Sequence, residues 1–437
     1  MTKVQFTKPI RVDHVARIEG KAAIDVVVSD GKVDTVNVNI IEGPRFFEAI
    51  TIGKKINEAT AVFPRICSFC ASAHKVTALQ AAENAMNVEV SEQTLKLREL
   101  MYLGDYIESH ALHLFLLAIP DYLGYPSAFA MADKHKDAVV AALKLKDIGA
   151  KIQAVLGSRY IHQESAILGG FGKLPTKPVL KGIADELRGL KNELELAANI
   201  LGNYDNWPEL DFDRVHLGLH PYDDRYSMLG DVVYDSNGKH FPARDYKTHI
   251  KEKVVPHSFA KHSFYNNEAF MTGAISRYLL FGKGLEGRSK DFADKYSKLL
   301  VPNNPMANNM AQAVELIYFA DKSIEIADNY ATNIINEEPV KYDFNNLQEG
   351  VSITEAPRGM VAYTLTLNKE GLVETADVIT PTAFFMPLME QDVRRKAEHL
   401  IAQGESDPKK IGDLLETVVR SYDPCVSCSV HVTGVKK

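Results

Sequence analysis

Two stretches in which apolar and polar residues alternate lie near the two ends of the chain, and between them the apolar positions recur at helical spacing. "KAAIDVVVSDGKVDTVNVNIIEG" (21–43) alternates about Asp30-Gly31 and predicts a β-hairpin closed by that dipeptide. "MVAYTLTLNKEGLVETADVI" (360–379) predicts a second hairpin turning at Lys369-Glu370-Gly371. "SEQTLKLRELMYLGDYIESHALHLFLLAI" (91–119) predicts a long helix with Ser91 as its N-cap, running until Pro120. Residues 137–157, 181–202, 308–331 and 389–403 each read as a further long helix. A last helix near 408–422 delivers the chain into Asp423 and Pro424. The expected fold class is α+β and mainly helical, a long-helix core with small β elements near both chain ends.

Composition narrows the partners. With 437 residues the chain can form one large unit or two to three smaller domains. Lys and Arg number 50 against 57 Asp and Glu, a net charge of −7, so no basic face for nucleic acid is expected. No apolar run reaches the roughly 18 residues of a membrane span, and the N-terminus lacks the apolar segment of a secretory signal.

The cysteines change the picture. There are four, Cys67, Cys70, Cys425 and Cys428, all in two C-x-x-C pairs, "RICSFC" and "DPCVSC". From spacing alone a structural four-thiolate zinc site is the leading reading and a redox pair the second. The distance between the pairs counts against zinc, because ribbon-like zinc sites stabilise small local modules. No strand–turn–helix pattern with a preceding aromatic supports a thioredoxin-like pair. Thiolates also select soft or borderline metals such as nickel, copper and iron. A buried thiolate cluster needs cations or polar donors nearby, and Arg65 is a candidate.

"RICSFC" with "DPCVSCSVH" resembles the paired signature of nickel–iron hydrogenase large subunits. "ARIEGK", "IIEGPRFFEAI", "IESHALHLFLLAIPDYLG", "VVPHSFAKHSFY", "EAPRG" and "ITPTAF" agree, so the resemblance runs from residue 16 to the C-terminus. "RICSFC" and "EGK" are most similar to the alpha subunits of soluble, NAD(P)-linked hydrogenases of the sulfhydrogenase type.

The resemblance implies a hydrogenase that splits H2 heterolytically at a nickel–iron site whose iron carries carbon monoxide and cyanide. Cys67 and Cys425 would be terminal nickel ligands, and Cys70 and Cys428 would bridge nickel to iron. Cys425 would accept the proton and pass it to Glu19; Arg358 would stand over the open metal position as an electrostatic partner. Around them, His74 would hydrogen-bond a bridging sulfur and Asp423 would orient Arg358. Ser109 replaces the Asp of better-known relatives. Pro381 and Thr382, read as part of a strand, would pack around the iron's diatomic ligands. His110 and His113, one helical turn apart, read as core or supporting residues and not as a metal pair.

Glu48 and His431 would hold a magnesium-like ion. Residues 1–431 would form a single domain, and the tail 432–437 would be removed by a maturation protease cutting after His431. With no spare cysteines and no G-x-G-x-x-G, the chain needs partners. The resemblance implies an iron–sulfur small subunit, a flavin (FAD) and NAD(P)-binding subunit, a further iron–sulfur subunit, a heterotetramer in all, and nickel-insertion proteins. It also implies a cytoplasmic enzyme delivering electrons to NADP or NAD, with sulfur or polysulfide as a further acceptor. Alternatives are a hydrogenase feeding a heterodisulfide reductase, a structural zinc protein, and a subunit like the quinone module of complex I.

Overall fold

The computed structural model describes residues 6, 9–43, 45–204, 207, 210–222 and 225–430. At its centre the helix Glu92–Leu112 packs against Lys136–Gly157, Ala307–Asn333 and Ala71–Met86, and it is almost wholly buried. Glu92–Leu112 and Lys136–Gly157 cross at paired glycines. A Cβ on Gly104 would meet Gly149 O at 2.9 Å, and one on Gly149 would meet Gly104 O at 2.6 Å. Only glycines allow the two backbones to come this close.

Both expected hairpins form. Strands Ala22–Ser29 and Lys32–Ile40 pair antiparallel, with Ile10–Val12 added at the edge. Their turn has φ of 51° at Asp30 and 76° at Gly31, the left-handed pair that a two-residue hairpin requires. Gly359–Leu367 and Val373–Ile379 form the second hairpin, and Gly350–Ala356 joins it as a third strand. The Asn368 side chain closes that turn by accepting from the amides of Glu370 and Leu372 at 3.1 and 2.9 Å.

The middle of the chain holds more β structure than alternation alone shows. Val215–Pro221 lies at the heart of a four-stranded sheet with Gly230–Asp235, His240–Pro242 and Phe270–Met271. Ile250–Lys253 pairs with His262–Tyr265 beside it. Three helix boundaries also differ from expectation. Pro120 does not stop its helix, because a wider π turn over His113–Ala118 leads into a new short helix with Pro120 in its first turn. Residues 181–202 form two helices, Lys177–Gly189 and Lys191–Gly202, broken at Leu190. Thr382 is helical and not in a strand: Thr380, before Pro381, is extended, and Pro381 opens the helix Pro381–Ala402. Among the described residues no helix is long and apolar enough to cross a membrane.

Candidate metal centre

The first cysteine pair sits where a tight turn meets a helix. The turn Phe63–Ile66 buries Phe63, Pro64 and Ile66, and Cys67 leaves it extended. Cys70 then stands at the N-cap of Ala71–Met86, where the helix dipole favours a thiolate. The Cys70 amide donates to Cys67 Sγ at 3.3 Å, so the two thiols share one face.

The second pair arrives from the other end. Helix Pro408–Ser421 ends, and Asp423 takes a left-handed φ of 51° that turns the chain inward through Pro424 to Cys425. Thr382 Oγ1, in the first turn of Pro381–Ala402, accepts from the Cys425 amide at 2.9 Å. The N-terminal segment lies alongside: Val426 N donates to Glu19 O at 3.0 Å, and Ser427 N donates to Glu19 Oε2 at 3.0 Å. Gly20 makes this approach possible, since its φ is +85° and a Cβ there would stand 2.8 Å from Val426 Cβ.

The four sulfurs converge within 4.8 Å of one another. Cys67 Sγ lies 3.4 Å from Cys425 Sγ, and Cys425 Sγ lies directly against Cys428 Sγ. Exposures of 4, 3, 2 and 1% for Cys67, Cys70, Cys425 and Cys428 put the cluster out of solvent. Burial, then the neighbouring Cys67, pushes the Cys70 thiol well up. A soft cation held among the sulfurs reverses that cost by binding thiolate directly. The donor set therefore fits a thiolate-bound metal group.

Arg358 is the charge that faces this cluster. It is buried, with Nη2 3.0 Å from Asp423 Oδ1 and Nη1 donating to Ser109 Oγ at 3.0 Å. Its guanidinium lies over the Phe69 ring, 5.8 Å from the centroid. Burial opposes its charge, but Asp423, Cys70 and Cys67 more than offset this and hold the guanidinium protonated. Asp423 is itself fixed by Gln312 Nε2 at 3.0 Å.

Arg65 does not play the part expected of it. Its side chain is 41% exposed and reaches Glu164 at 3.5 Å. The turn that carries it spends its buried positions on Phe63, Pro64 and Ile66, leaving Arg65 to point outward. Arg358 takes the cationic role instead. A second arginine, Arg45, was legible only as part of "IIEGPRFFEAI". Its Nη2 donates to Ile66 O at 2.6 Å and also to Ser427 O, clamping the two cysteine segments together.

Supporting residues surround this shell. His74 is buried with Nδ1 2.7 Å from Tyr363 Oη. Pro381 and Thr382 are buried at the helix start beside Cys425. His110 Nε2 lies 2.7 Å from Glu315 Oε2, and His113 contacts Gln312 Oε1 at 2.5 Å and the Arg420 carbonyl oxygen at 2.9 Å. Neither joins the cysteine cluster.

Behind them Arg277 binds both Glu315 and Glu355, at 2.6 and 3.0 Å. Sequence reasoning missed this buried ion network; the signal was an arginine inside the apolar run "GAISRYLLF". Glu48 is buried and accepts from Val378 N at 3.4 Å. Burial pushes its carboxyl up to about 7, with Lys261 pulling the other way. His431 and the tail 432–437 lie outside the described residues.

Comparison with known proteins gives concordant results. The family model described as nickel-dependent hydrogenase matches residues 45–142 and 218–431. Sulfhydrogenase 1 subunit alpha of Pyrococcus furiosus is 47% identical over 97% of this chain and 98% of its own length. Sulfhydrogenase 2 subunit alpha of the same organism is 35% identical over 97% and 98%. Among solved structures, an NAD+-reducing [NiFe]-hydrogenase in the H2-reduced state shares the fold with a TM-score of 0.88. That match covers 98% of this chain and 100% of the other at 22% identity. A Ni-Fe-Se hydrogenase from D. vulgaris Hildenborough shares the fold with a TM-score of 0.76 at 20% identity, over 97% and 100%.

Proposed function

This chain belongs to the nickel-dependent hydrogenase family, and from that premise we propose how its residues divide the work of hydrogen turnover. It is the catalytic subunit of a nickel–iron hydrogenase. Cys67, Cys70, Cys425 and Cys428 would hold nickel, with Cys70 and Cys428 also holding iron. The observation that carries this reading is the convergence of the chain's four cysteines, from opposite ends of the sequence, on one buried point. When bound, the nickel–iron group supplies heterolytic cleavage of H2 and takes up the electrons.

The chain's own residues handle the proton. Cys425 Sγ accepts it first. The neighbouring strand-like contact then brings Glu19 within reach, with the Ser427 hydroxyl donating to Glu19 Oε1. Glu19 is half-buried. A carboxylate there can take the proton and release it outward. Arg358 is a poor base because it stays charged, and its part is to present a fixed positive field toward the reacting position.

Electrons leave through an iron–sulfur partner, then through a flavin and NAD(P)-binding subunit with a further iron–sulfur subunit, to NADP or NAD. Sulfur or polysulfide serves as a further acceptor. The relatives named as sulfhydrogenase alpha subunits support this route, as does the fold shared with an NAD+-reducing enzyme. The enzyme works in the cytoplasm. Residues 1–431 act as one domain, and cleavage after His431 removes the tail, leaving His431 and Glu48 to hold a magnesium-like ion.

Metal analysis of the assembled complex, combined with hydrogen-dependent dye reduction, tests the reading. One nickel per chain is expected, beside the iron that the partner clusters contribute, with activity lost in Cys425→Ala. Active protein holding stoichiometric zinc in place of nickel would overturn it. Mass spectrometry of the C-terminus tests the cleavage, and an active enzyme retaining Lys437 refutes it.

A further inference from the structure

The segment "VVPHSFAKHSFY" has no part in the hydrogen chemistry described above, yet it builds a second cluster of ligating side chains. One ring nitrogen each from His257 and His262 and one carboxylate oxygen of Glu390 lie within 4.8 Å of one another. His262 opens the strand His262–Tyr265, His257 lies in the preceding loop, and Glu390 projects from the helix Pro381–Ala402. We propose that His257, His262 and Glu390 form a structural divalent-metal site, zinc by its ligand chemistry, with water as the fourth ligand.

Three observations support the assignment. First, His262 is only 3% exposed, and its Nε2 is buried with no hydrogen-bond partner among the described residues. A buried imidazole nitrogen without a partner is costly, and a metal would satisfy it. Second, the donor spacing is within reach of the roughly 3.4 Å that tetrahedral zinc imposes on nitrogen and oxygen ligands. Two histidines and a carboxylate make a borderline donor set that suits zinc better than magnesium or calcium.

Third, the side chains of His257 and Glu390 are 21 and 20% exposed, so water and metal can reach the site from solvent. Glu390 is already oriented: its Oε2 lies 2.8 Å from His257 Nε2 and accepts from Val38 N at 2.8 Å. This second partner fixes the carboxylate as outer contacts fix ligands at known metal sites.

The position gives the metal a purpose. The loop carrying His257 is strapped to the N-terminal sheet, with Phe259 N donating to Ile40 O at 3.0 Å and Ile40 N donating to Ser258 Oγ at 3.3 Å. A metal would lock that strap onto Pro381–Ala402, the helix whose first turn holds Cys425 through Thr382.

The test uses the assembled, nickel-loaded complex, whose cysteines are already engaged. It is stripped with a mild chelator and titrated with Co2+, then with Zn2+. Wild type is expected to take up one cobalt per chain with the visible bands of tetrahedral cobalt, and zinc should bleach them. His257→Asn and Glu390→Gln should each lose that equivalent and the zinc-dependent rise in Tm, while keeping hydrogen-dependent dye reduction. His262→Gln is a weaker probe because the residue is buried, so half-buried His257 carries the decision. Equal cobalt uptake by wild type and His257→Asn, or the absence of tetrahedral bands in wild type, overturns the site. Either outcome leaves a plain His257–Glu390 ion pair and does not touch the hydrogenase assignment, which the activity assay reads separately.

Discussion

Asp423→Asn removes one charge from the buried pair with Arg358 while nearly conserving shape. Asp423 Oδ1 and Arg358 Nη2 are 3.0 Å apart and both residues are buried. At an effective dielectric of about 20 such a pair is worth roughly 5.5 kcal/mol. Asparagine keeps an oxygen acceptor for the guanidinium, which recovers a hydrogen bond to a charged group of about 1.5–3 kcal/mol. The remaining loss, about 2.5–4 kcal/mol, corresponds to roughly a 70- to 900-fold fall in kcat if all of it falls on the reactive geometry. The assay is hydrogen-dependent dye reduction, with nickel and iron measured on the same samples; metal content should not change, because Asp423 is not a ligand. The decisive comparison repeats Asp423→Asn in an Arg358→Lys background, where the fork that Asp423 grips is already gone. There the second change should cost less than about threefold. Equal costs in the two backgrounds would show that Asp423 acts on the site independently of Arg358, and the positioning argument would fail.

Other consequences can be checked more briefly. Glu19→Gln keeps a hydrogen-bonding side chain beside Ser427 but cannot carry a proton, so turnover should be lost with both metals retained; unchanged turnover rules Glu19 out of the relay. Gly20→Ala places a Cβ 2.8 Å from Val426 and forces a left-handed alanine. The second cysteine pair should be displaced, and nickel content after maturation should fall several-fold. His216, buried between Ser276 and the Pro302 carbonyl, is pushed down to about 4 mainly by burial. The unfolded chain therefore takes up a proton below about 6.5 that the folded chain refuses until about 4. Stability from this group is complete above that window and lost as pH falls through it, by about 2.5 kcal/mol at about pH 4.5. Urea unfolding at neutral and acid pH should show this slope, and His216→Gln should flatten it; an unchanged slope assigns acid sensitivity elsewhere.

Much of the site was legible because its chemistry is carried by rare residues in rigid local spacing. Two C-x-x-C pairs in a chain with four cysteines leave little else for the thiols to do, and Ser91 and Asp30-Gly31 announce their cap and turn by local backbone chemistry alone. Side-chain direction was harder to read. Arg65 is near Cys67 in sequence, but a 3₁₀ turn faces successive residues different ways, and only packing decides that Phe63, Pro64 and Ile66 go in. The roles of Arg45 and Arg277 were hidden for a different reason: their partners, Ser427 and Glu315, are distant in sequence. The central strand Val215–Pro221 escaped because it is covered on both faces and so shows no alternation. Thr382 was misplaced even though the proline before it marks a helix start, since threonine's β preference was given more weight than the local geometry.

The convergence of Cys67 and Cys425 also has a temporal side. The two are 358 positions apart, and a chain grows at roughly 5–20 residues per second. The first thiol pair therefore exists for about 20–70 s before the second has been made. Throughout that interval Arg45 lacks the Ser427 carbonyl it will clamp, and Thr382 has no Cys425 amide to hold. Assembly of the centre is consequently separated from synthesis of its first half. Whatever delivers metal early meets a two-thiolate cup on a partly made protein, and the finished four-thiolate pocket closes over the cargo only later.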